Sequence, residues 1–499
     1  MPRASKMRAS KLVYQSINQL SLEGFETPFS QKLQLTNRWV LLSSQIPWDE
    51  IVSVYNNQMR NGTTGASHIN GRVVLGSLMI KHMCNLSDEE TILQIQENMY
   101  MQYFIGYTSY SNEVPFDSSL FVEIRKRLGK ELINEINEKI VEIAEQKMAE
   151  SKRKDPPEQT DINNESRTLE EPESKTHGGR LLLDATACPQ DIAYPTDLNI
   201  LNNVREKSEE LIDLLYNKEI HSIKKPRTYR EKARRLYLKT AQKKTKTSKE
   251  IYSAIGKQLR FSKRNIKHIN NLLDQYNTIP FDKNQYKYWL VIQESYRQQQ
   301  EMFDKRTHSI EHRIVSIHQP HVRPIVRGKA NAKVEFGSKL HLSLVNGFAF
   351  LDELSWDAYN EGTLLLASVE QYKRRKGFFP EEVLADKIYC SRVNRQKLKE
   401  LGIRLIAKPL GRPSAVNREH IRPGERNPIE GKFGQGKNAY GLGRIRARLS
   451  NTSQSWIASI ILVLNLVKLA GQALIALFIT LVSMMLNVKN HNRNELLIQ

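Results

Sequence analysis

The sequence predicts an α/β chain: an all-α N-terminal domain, then a mixed five-stranded sheet with flanking helices, interrupted by a large helical insertion. Three observations carry this prediction. Apolar residues between positions 30 and 146 recur at helical spacing. Short apolar or alternating runs then appear at 181–183, within 337–356, at 382–386 and after 400, separated by helical patterns. Between the first run and the second lies a long stretch, 200–325, rich in helix formers and strongly basic.

The elements follow in order. In "NLSDEETILQIQENMYMQYFIGY", Ser87 and Glu90 have capping-box spacing. Ile92, Ile95, Met99 and Phe104 then recur at roughly helical intervals. "PFDSSLFVEIRKRLG" begins another helix, with Asp117 as N-cap and Phe121, Ile124 and Leu128 on one face. A helical unit over 30–147 suits DNA binding as well as plain packing or dimerisation, and spacing alone does not separate these uses. Residues 148–179 are polar, charged and almost free of apolar side chains, the composition of a disordered linker. They mark a domain boundary.

"RLLLDATACPQDIAYPTD" opens the sheet, Leu181–Leu183 forming a buried strand that stops at Asp184. "GSKLHLSLVNGFAFLDELSW" holds two alternating runs joined by Asn346-Gly347, a strong hairpin signal. A helix over 361–376 leads to "EEVLADKIY", a short apolar strand ending at Asp386. "SRVNRQKLKELGIRLIAKPLG" gives a helix and a strand, and helices close the chain from about 427 onward. The sheet domain thus spans 180–470, with 200–325 inserted after its first strand.

The formal charge is +21, a surplus that favours a polyanionic partner, most simply nucleic acid. Much of it lies between Lys224 and Lys267, where seventeen Lys or Arg face two Glu, with Tyr229, Tyr237, Tyr252 and Phe261 interspersed. Arg234, Arg235, Lys243 and Lys244 are candidates for gripping a phosphate backbone; a solvated Lys-rich helical face is the plainer alternative. Three cysteines without paired spacing argue against a disulfide scaffold or a Cys-type zinc site, and for a reducing cytosol. No apolar segment follows the basic N-terminus, so no secretory signal is evident. The run 469–488 is uncharged and long enough to span a bilayer. A helix turning at Gly471 and packing Leu474, Leu477, Phe478 and Leu481 on the protein or a second subunit is the expected reading, with a polar tail to 499.

Three acids stand at comparable places: Asp184 and Asp386 at strand ends, Glu430 near a helix start. Each has an ordinary use. Asp often caps a turn, and Asn427, Pro428 and Glu430 have the pattern of an N-cap, a first helical residue and a capping-box acid. The strand order nevertheless brings two strand ends and one helix start to one sheet edge. Mg²⁺ binds through one or two carboxylates plus waters and phosphate oxygens. Two such ions about 4 Å apart stabilise the attacking and leaving oxygens of a phosphodiester displacement. In "ERNPIEGKFGQGKNAYG", Arg426 and Lys437 flank Glu430 as cations for nearby phosphates. Lys437 would lie two turns past Glu430, about 10 Å along, at the distance of a neighbouring nucleotide. Asp357 and Glu425 are alternative acids, although one follows the hairpin and the other precedes the helix. Asp191 and Asp197 read as structural, and Cys188 and Cys390 as small packing residues.

The blocks "LLLDATACPQDIAYPTDL", "VLADKIY" and "ERNPIEGKFGQGKNAYGLGRIRARL" resemble the three catalytic blocks of bacterial insertion-sequence DDE transposases. "INGRVVLGSLMIKHMCNLSDEETILQIQENMYMQYFIGY" resembles the InsH-type N-terminal domain that accompanies many of them. The resemblance implies an RNase H-like sheet and a DNA-binding N-terminal unit. It implies Asp184, Asp386 and Glu430 as catalytic residues holding two Mg²⁺ or Mn²⁺ ions, with Arg426 and Lys437 at the family's flanking positions. It also implies cleavage at the ends of a mobile DNA element and transfer of the freed 3′-hydroxyls to target DNA. The expected partners are double-stranded DNA, at those ends and at the target, and a second copy of the chain in a DNA-bound dimer. The expected setting is the cytoplasm, at the nucleoid. Where many relatives place a tyrosine three residues before the arginine, this chain has Pro423. A related nuclease without strand transfer, a catalytically dead DNA-binding protein and a membrane-tethered protein remain as rivals.

Overall fold

The computed structural model describes residues 32–59, 69–154, 176–326, 334–407 and 424–495. Six helices come first: α1 (Arg38–Gln45), α2 (Trp48–Met59), α3 (Gly71–Met83), α4 (Asp88–Glu97), α5 (Met99–Phe104) and α6 (Leu120–Lys154). The Ser87 hydroxyl caps α4 by accepting the Glu90 N–H at 3.0 Å. The periodic run after it is broken at Asn98. That residue leaves helical geometry, and its side chain accepts the N–H groups of Tyr100 and Met101 to start α5. Asp117 caps a turn by accepting the Ser119 N–H at 2.8 Å, and the helix proper begins at Leu120. Gly129, with φ of +62°, kinks α6, which continues to Lys154 and so enters the segment expected to be a linker.

The sheet has six strands where five were expected: β1 (Arg180–Pro189), β2 (Arg323–Val326), β3 (Val334–Val345), β4 (Phe348–Ser355), β5 (Glu382–Leu384) and β6 (Arg404–Ile406). β4, β3 and β1 pair antiparallel, and β5 and β6 continue parallel to β1. The additional strand, β2, pairs with the first four residues of β3. It was hidden because four residues containing a proline carry almost no alternation. The insertion therefore ends before Arg323. Asn346 and Gly347 close the β3–β4 hairpin with φ of +51° and +76°, as a type I′ turn requires. α11 (Leu365–Lys376), entered through a 3-10 turn at Glu361–Leu364, connects β4 to β5, and α12 (Arg392–Glu400) connects β5 to β6.

The insertion comprises α7 (Asp197–Leu215), α8 (Arg230–Ala241), α9 (Ser248–Leu273) and α10 (Lys283–Asp304). It has two small cores of its own, one around Leu211, Ile269 and Ile292, the other around Leu201, Ile255 and Leu259. The N-terminal helices behave differently, sharing one continuous core with the sheet. α13 (Asn427–Ala439) and α14 (Ser450–Glu495) complete the chain, and α14 packs on α1, α3, α6 and β4 at once. Its residues Ile457, Ile460, Val463 and Leu466 are fully buried.

α14 is one continuous helix. The turn expected at Gly471 is absent, since a glycine flanked by helix formers costs about 1 kcal/mol within a helix and does not force a break. Among the described residues one stretch, Ser450–Ala473, is long and apolar enough to cross a membrane, and most of it is buried inside the fold. The side chains of Leu474, Leu477, Phe478 and Leu481 lie outside the described residues.

Candidate active site

Strand register places the two aspartates. Leu182 of β1 and Leu384 of β5 are parallel partners. Asp184 and Asp386 each stand two residues beyond that rung, so they share a face at neighbouring positions of the sheet. β1 was expected to stop at Asp184, but it runs to Pro189 because β3 pairs with it as far as Gly337. What ends near Asp184 is the parallel pairing with β5. Asp386 leaves the strand and accepts the Lys387 N–H at 2.7 Å. Asp184 accepts the Ala185 N–H at 2.8 Å.

α13 delivers the third partner. The loop after it is stitched to the end of β1: Ile445 N–H donates to the Pro189 carbonyl, and Asp191 N–H to the Ile445 carbonyl. This holds the helix against β1, and Arg426 at its N-cap reaches both aspartates. One guanidinium nitrogen lies 3.1 Å from Asp184 Oδ2 and the other 3.4 Å from Asp386 Oδ1. The two carboxylates differ in exposure, 17% for the Asp184 side chain against 50% for Asp386. Burial pushes the Asp184 carboxyl up to about 6. The Ala185 N–H and Arg426 oppose that rise, while Glu361 and Asp386 add to it. The site thus pairs a desolvated acid with a solvated one around a single cation.

Glu430 lies one turn beyond Arg426 in the first turn of α13, with its side chain exposed. Lys437 is two turns further and half-buried. Among the described residues no group of three or more His, Cys, Asp or Glu side chains is close enough to share a metal ion, so the acids come together here as a pair. That pair still fits a divalent cation. Its oxygens already converge on a positive group, and Mg²⁺ or Mn²⁺ needs only one or two carboxylates when phosphate and water complete its shell. Pro423 lies outside the described residues.

The competing acids have other partners. Asp357 is exposed and lies 3.6 Å from both His312 and Arg323. Asp191 pairs with Arg444 at 2.9 Å. Asp197 is buried and accepts from Gln299, His308 and Arg313, tying α7 to α10 and the loop after it. Cys188 and Cys390 are buried free thiols.

Sequence reasoning missed a polar layer beside the pair. Lys339 of β3 forms an ion pair with Glu361 at 2.9 Å and donates to the Tyr359 carbonyl at 2.8 Å. His341, fully buried, shares a 2.9 Å hydrogen bond with the Tyr389 hydroxyl. Burial holds His341 below its ordinary value and Tyr389 well above its own, so both stay neutral near pH 7. The alternation "KLHLSL" was the available signal, because it places Lys339, His341 and Ser343 on one face of a central strand.

The basic insertion presents its charge outward. Fifteen of the seventeen cations between Lys224 and Lys267 are exposed, Arg234, Arg235, Lys243 and Lys244 among them. Lys243 is paired with Glu250, and Asp213 holds Lys225 and Arg230.

Two family models match the chain. The family described as transposase DDE domain matches residues 383–467, from β5 into α14, and includes Asp386, Arg426, Glu430 and Lys437. The family described as transposase domain (DUF772) matches residues 27–127, the N-terminal helices. These two matches and their order along the chain support an insertion-sequence DDE transposase. The chain is also similar to the uncharacterized protein ORF8 in the nfe locus of Rhizobium meliloti, 30% identical over 158 residues. That alignment covers 32% of this chain and 64% of the relative's own length. No solved structure matches. Asp184 lies outside both family matches, so its place in the site rests on strand register and on Arg426.

Proposed function

We propose that this chain is a transposase that cuts DNA strands at the ends of its own mobile element and joins the freed 3′-hydroxyls to target DNA, using Asp184, Asp386 and Glu430 as its acidic residues. The observation that carries the reading is the placement of Asp184 and Asp386 two residues past one rung of adjacent parallel strands, with Arg426 between them. The strand order, three antiparallel strands followed by two parallel ones reached through α11 and α12, supports an RNase H-like sheet.

In the first step water attacks phosphorus and the 3′-oxygen leaves with a proton. In the second, that hydroxyl attacks a target phosphate and displaces the target's own 3′-oxygen, so bonds broken and formed balance without a covalent protein intermediate. Asp184 and Asp386 would hold Mg²⁺ or Mn²⁺, with Glu430 approaching from α13; the bound cation supplies charge stabilisation for attacking and leaving oxygens. Asp386, half exposed, faces the incoming backbone, whereas the desolvated Asp184 fixes the site's position in the sheet. Arg426 and Lys437 bind phosphate oxygens beside the reacting one. The exposed cations of α8 and the loop leading to α9 track the duplex backbone without reading bases. A dimer on DNA would supply one such site per element end.

The test uses duplexes carrying the element's terminal repeats, Mg²⁺ or Mn²⁺, and mapping of cut and joined ends. The parent should give 3′-hydroxyl ends and joined products. Asp184→Asn and Asp386→Asn should give neither while still shifting DNA in a gel. Cutting without joining would favour the nuclease reading, and near-normal cutting by Asp386→Asn would remove that residue from the site.

A further inference from the structure

Arg426 is placed where a cation would sit rather than where a phosphate would. Its two terminal nitrogens face one oxygen of Asp184 and one of Asp386, so the guanidinium already offsets one of the pair's two negative charges. A phosphate-binding arginine with both terminal nitrogens turned onto carboxylates has few donors left for a phosphate. Its Nε–H, however, is buried without an acceptor among the described residues. The arrangement is held by charge. The side chain is 23% exposed and springs from the first residues of α13, just after Gly424 with φ of +102°.

We propose that Arg426 is a stand-in cation that occupies the Asp184–Asp386 pair in the absence of DNA and leaves it when a DNA phosphate takes the guanidinium. This rests on the reading of that pair as the seat of the divalent ion. The two cations then compete for the same oxygens, and DNA relieves the competition by binding one of them. Ion loading becomes coupled to DNA loading, and by linkage the coupling is reciprocal. The protein without DNA carries a damped site, which protects the cell's DNA from an enzyme loaded in solution.

The competition predicts an unusual sign. Removing an ordinary positioning residue weakens a site, whereas removing a competitor strengthens it. If Arg426 holds the pair about nine-tenths of the time, its loss should raise apparent ion affinity roughly tenfold. Manganese titrations of the full chain without DNA, followed by calorimetry and by melting temperature, would compare the parent with Arg426→Gln, Arg426→Lys and Asp184→Asn. We expect Asp184→Asn to lose Mn²⁺ binding, Arg426→Gln to bind several-fold to tenfold more tightly than the parent, and Arg426→Lys to lie between. Arg426→Gln should melt lower than the parent without metal and gain more from Mn²⁺. Equal binding by the parent and Asp184→Asn, or none by any of the four, would overturn the pair as the ion's seat. Loss of binding in Asp184→Asn together with unchanged or weaker binding in Arg426→Gln would leave that reading intact and sink the stand-in role.

Discussion

Burial holds the Asp184 carboxyl at about 6, against an ordinary value of 3.8, with Arg426 and the Ala185 N–H only partly offsetting the loss of water. The folded chain therefore holds this proton more tightly than the unfolded chain. Protonated Asp184 contributes stability that is fully present below about pH 4 and is lost as pH rises through about 6. In metal-free buffer, Asp184→Asn should gain stability relative to the parent across that window, by at most about 3 kcal/mol. Urea unfolding at pH 4 and pH 7 measures it, and an unchanged difference would mean that the carboxyl is not desolvated. A cation needs the ionised form, so apparent Mn²⁺ affinity should fall as pH drops below about 6. The neighbouring acids show how position decides role: Asp191 and Asp197 are as acidic by sequence, yet each is committed to its own arginine.

Helices α3, α4, α6 and α14 meet around one carboxylate. Asp88, at the start of α4, takes Lys81 of α3 at 2.8 Å and both terminal nitrogens of Arg125 of α6 at 2.9 and 2.8 Å. The two cations also lie over the Trp456 ring of α14, at 4.8 and 5.4 Å. Burial would raise the Asp88 carboxyl, but Arg125 and Lys81 outweigh it and hold it low. Asp88→Ala would leave two buried cations without a counter-ion and should cost about 3–5 kcal/mol, read by denaturant unfolding. A loss within experimental error would show that water reaches the cluster. The insertion's helices call for a different measurement. Replacing Arg234, Arg235, Lys243 and Lys244 with Gln should flatten the log–log salt dependence of DNA binding by about 0.9 for each phosphate no longer neutralised. Lys243→Gln alone should do least, because Glu250 already holds that lysine. An unchanged slope in the fourfold variant would mean that this face does not meet DNA.

The whole molecule is organised around α14. Asn465, fully buried, accepts the Ala349 N–H of β4 at 2.7 Å, donates to the Ala349 carbonyl at 2.7 Å and donates to Asn137 of α6 at 2.9 Å. One side chain thus joins the N-terminal helices, the sheet and the last helix within a single core. The insertion keeps separate cores, so calorimetry of the parent should show two transitions. Asn465→Ala leaves the Ala349 N–H buried and unpaired, at a cost of about 1–3 kcal/mol, and should lower one transition while leaving the other in place. A shift of both together would mean that the insertion unfolds with the body.

The sequence by itself determined what depends on neighbouring residues. The Asn346-Gly347 turn needs two positive φ values and has the two residues that adopt them most readily. The α4 cap, the hairpin strands, the helix–strand alternation after it and the outward basic face of the insertion were all legible for the same reason. The family resemblance, too, was carried by short local blocks, and the two matched domains agree with it. What only the tertiary structure decided depends on residues far apart. β1 runs past Asp184 because β3, more than 140 residues later in the chain, pairs with it. β2 is too short to show alternation and exists because β3 offers it an edge. The segment read as a boundary does not separate two cores, because α14 returns to pack on α6. The position of Arg426 between two aspartates follows from a helix docked on a strand, a relation that spacing along the chain does not encode.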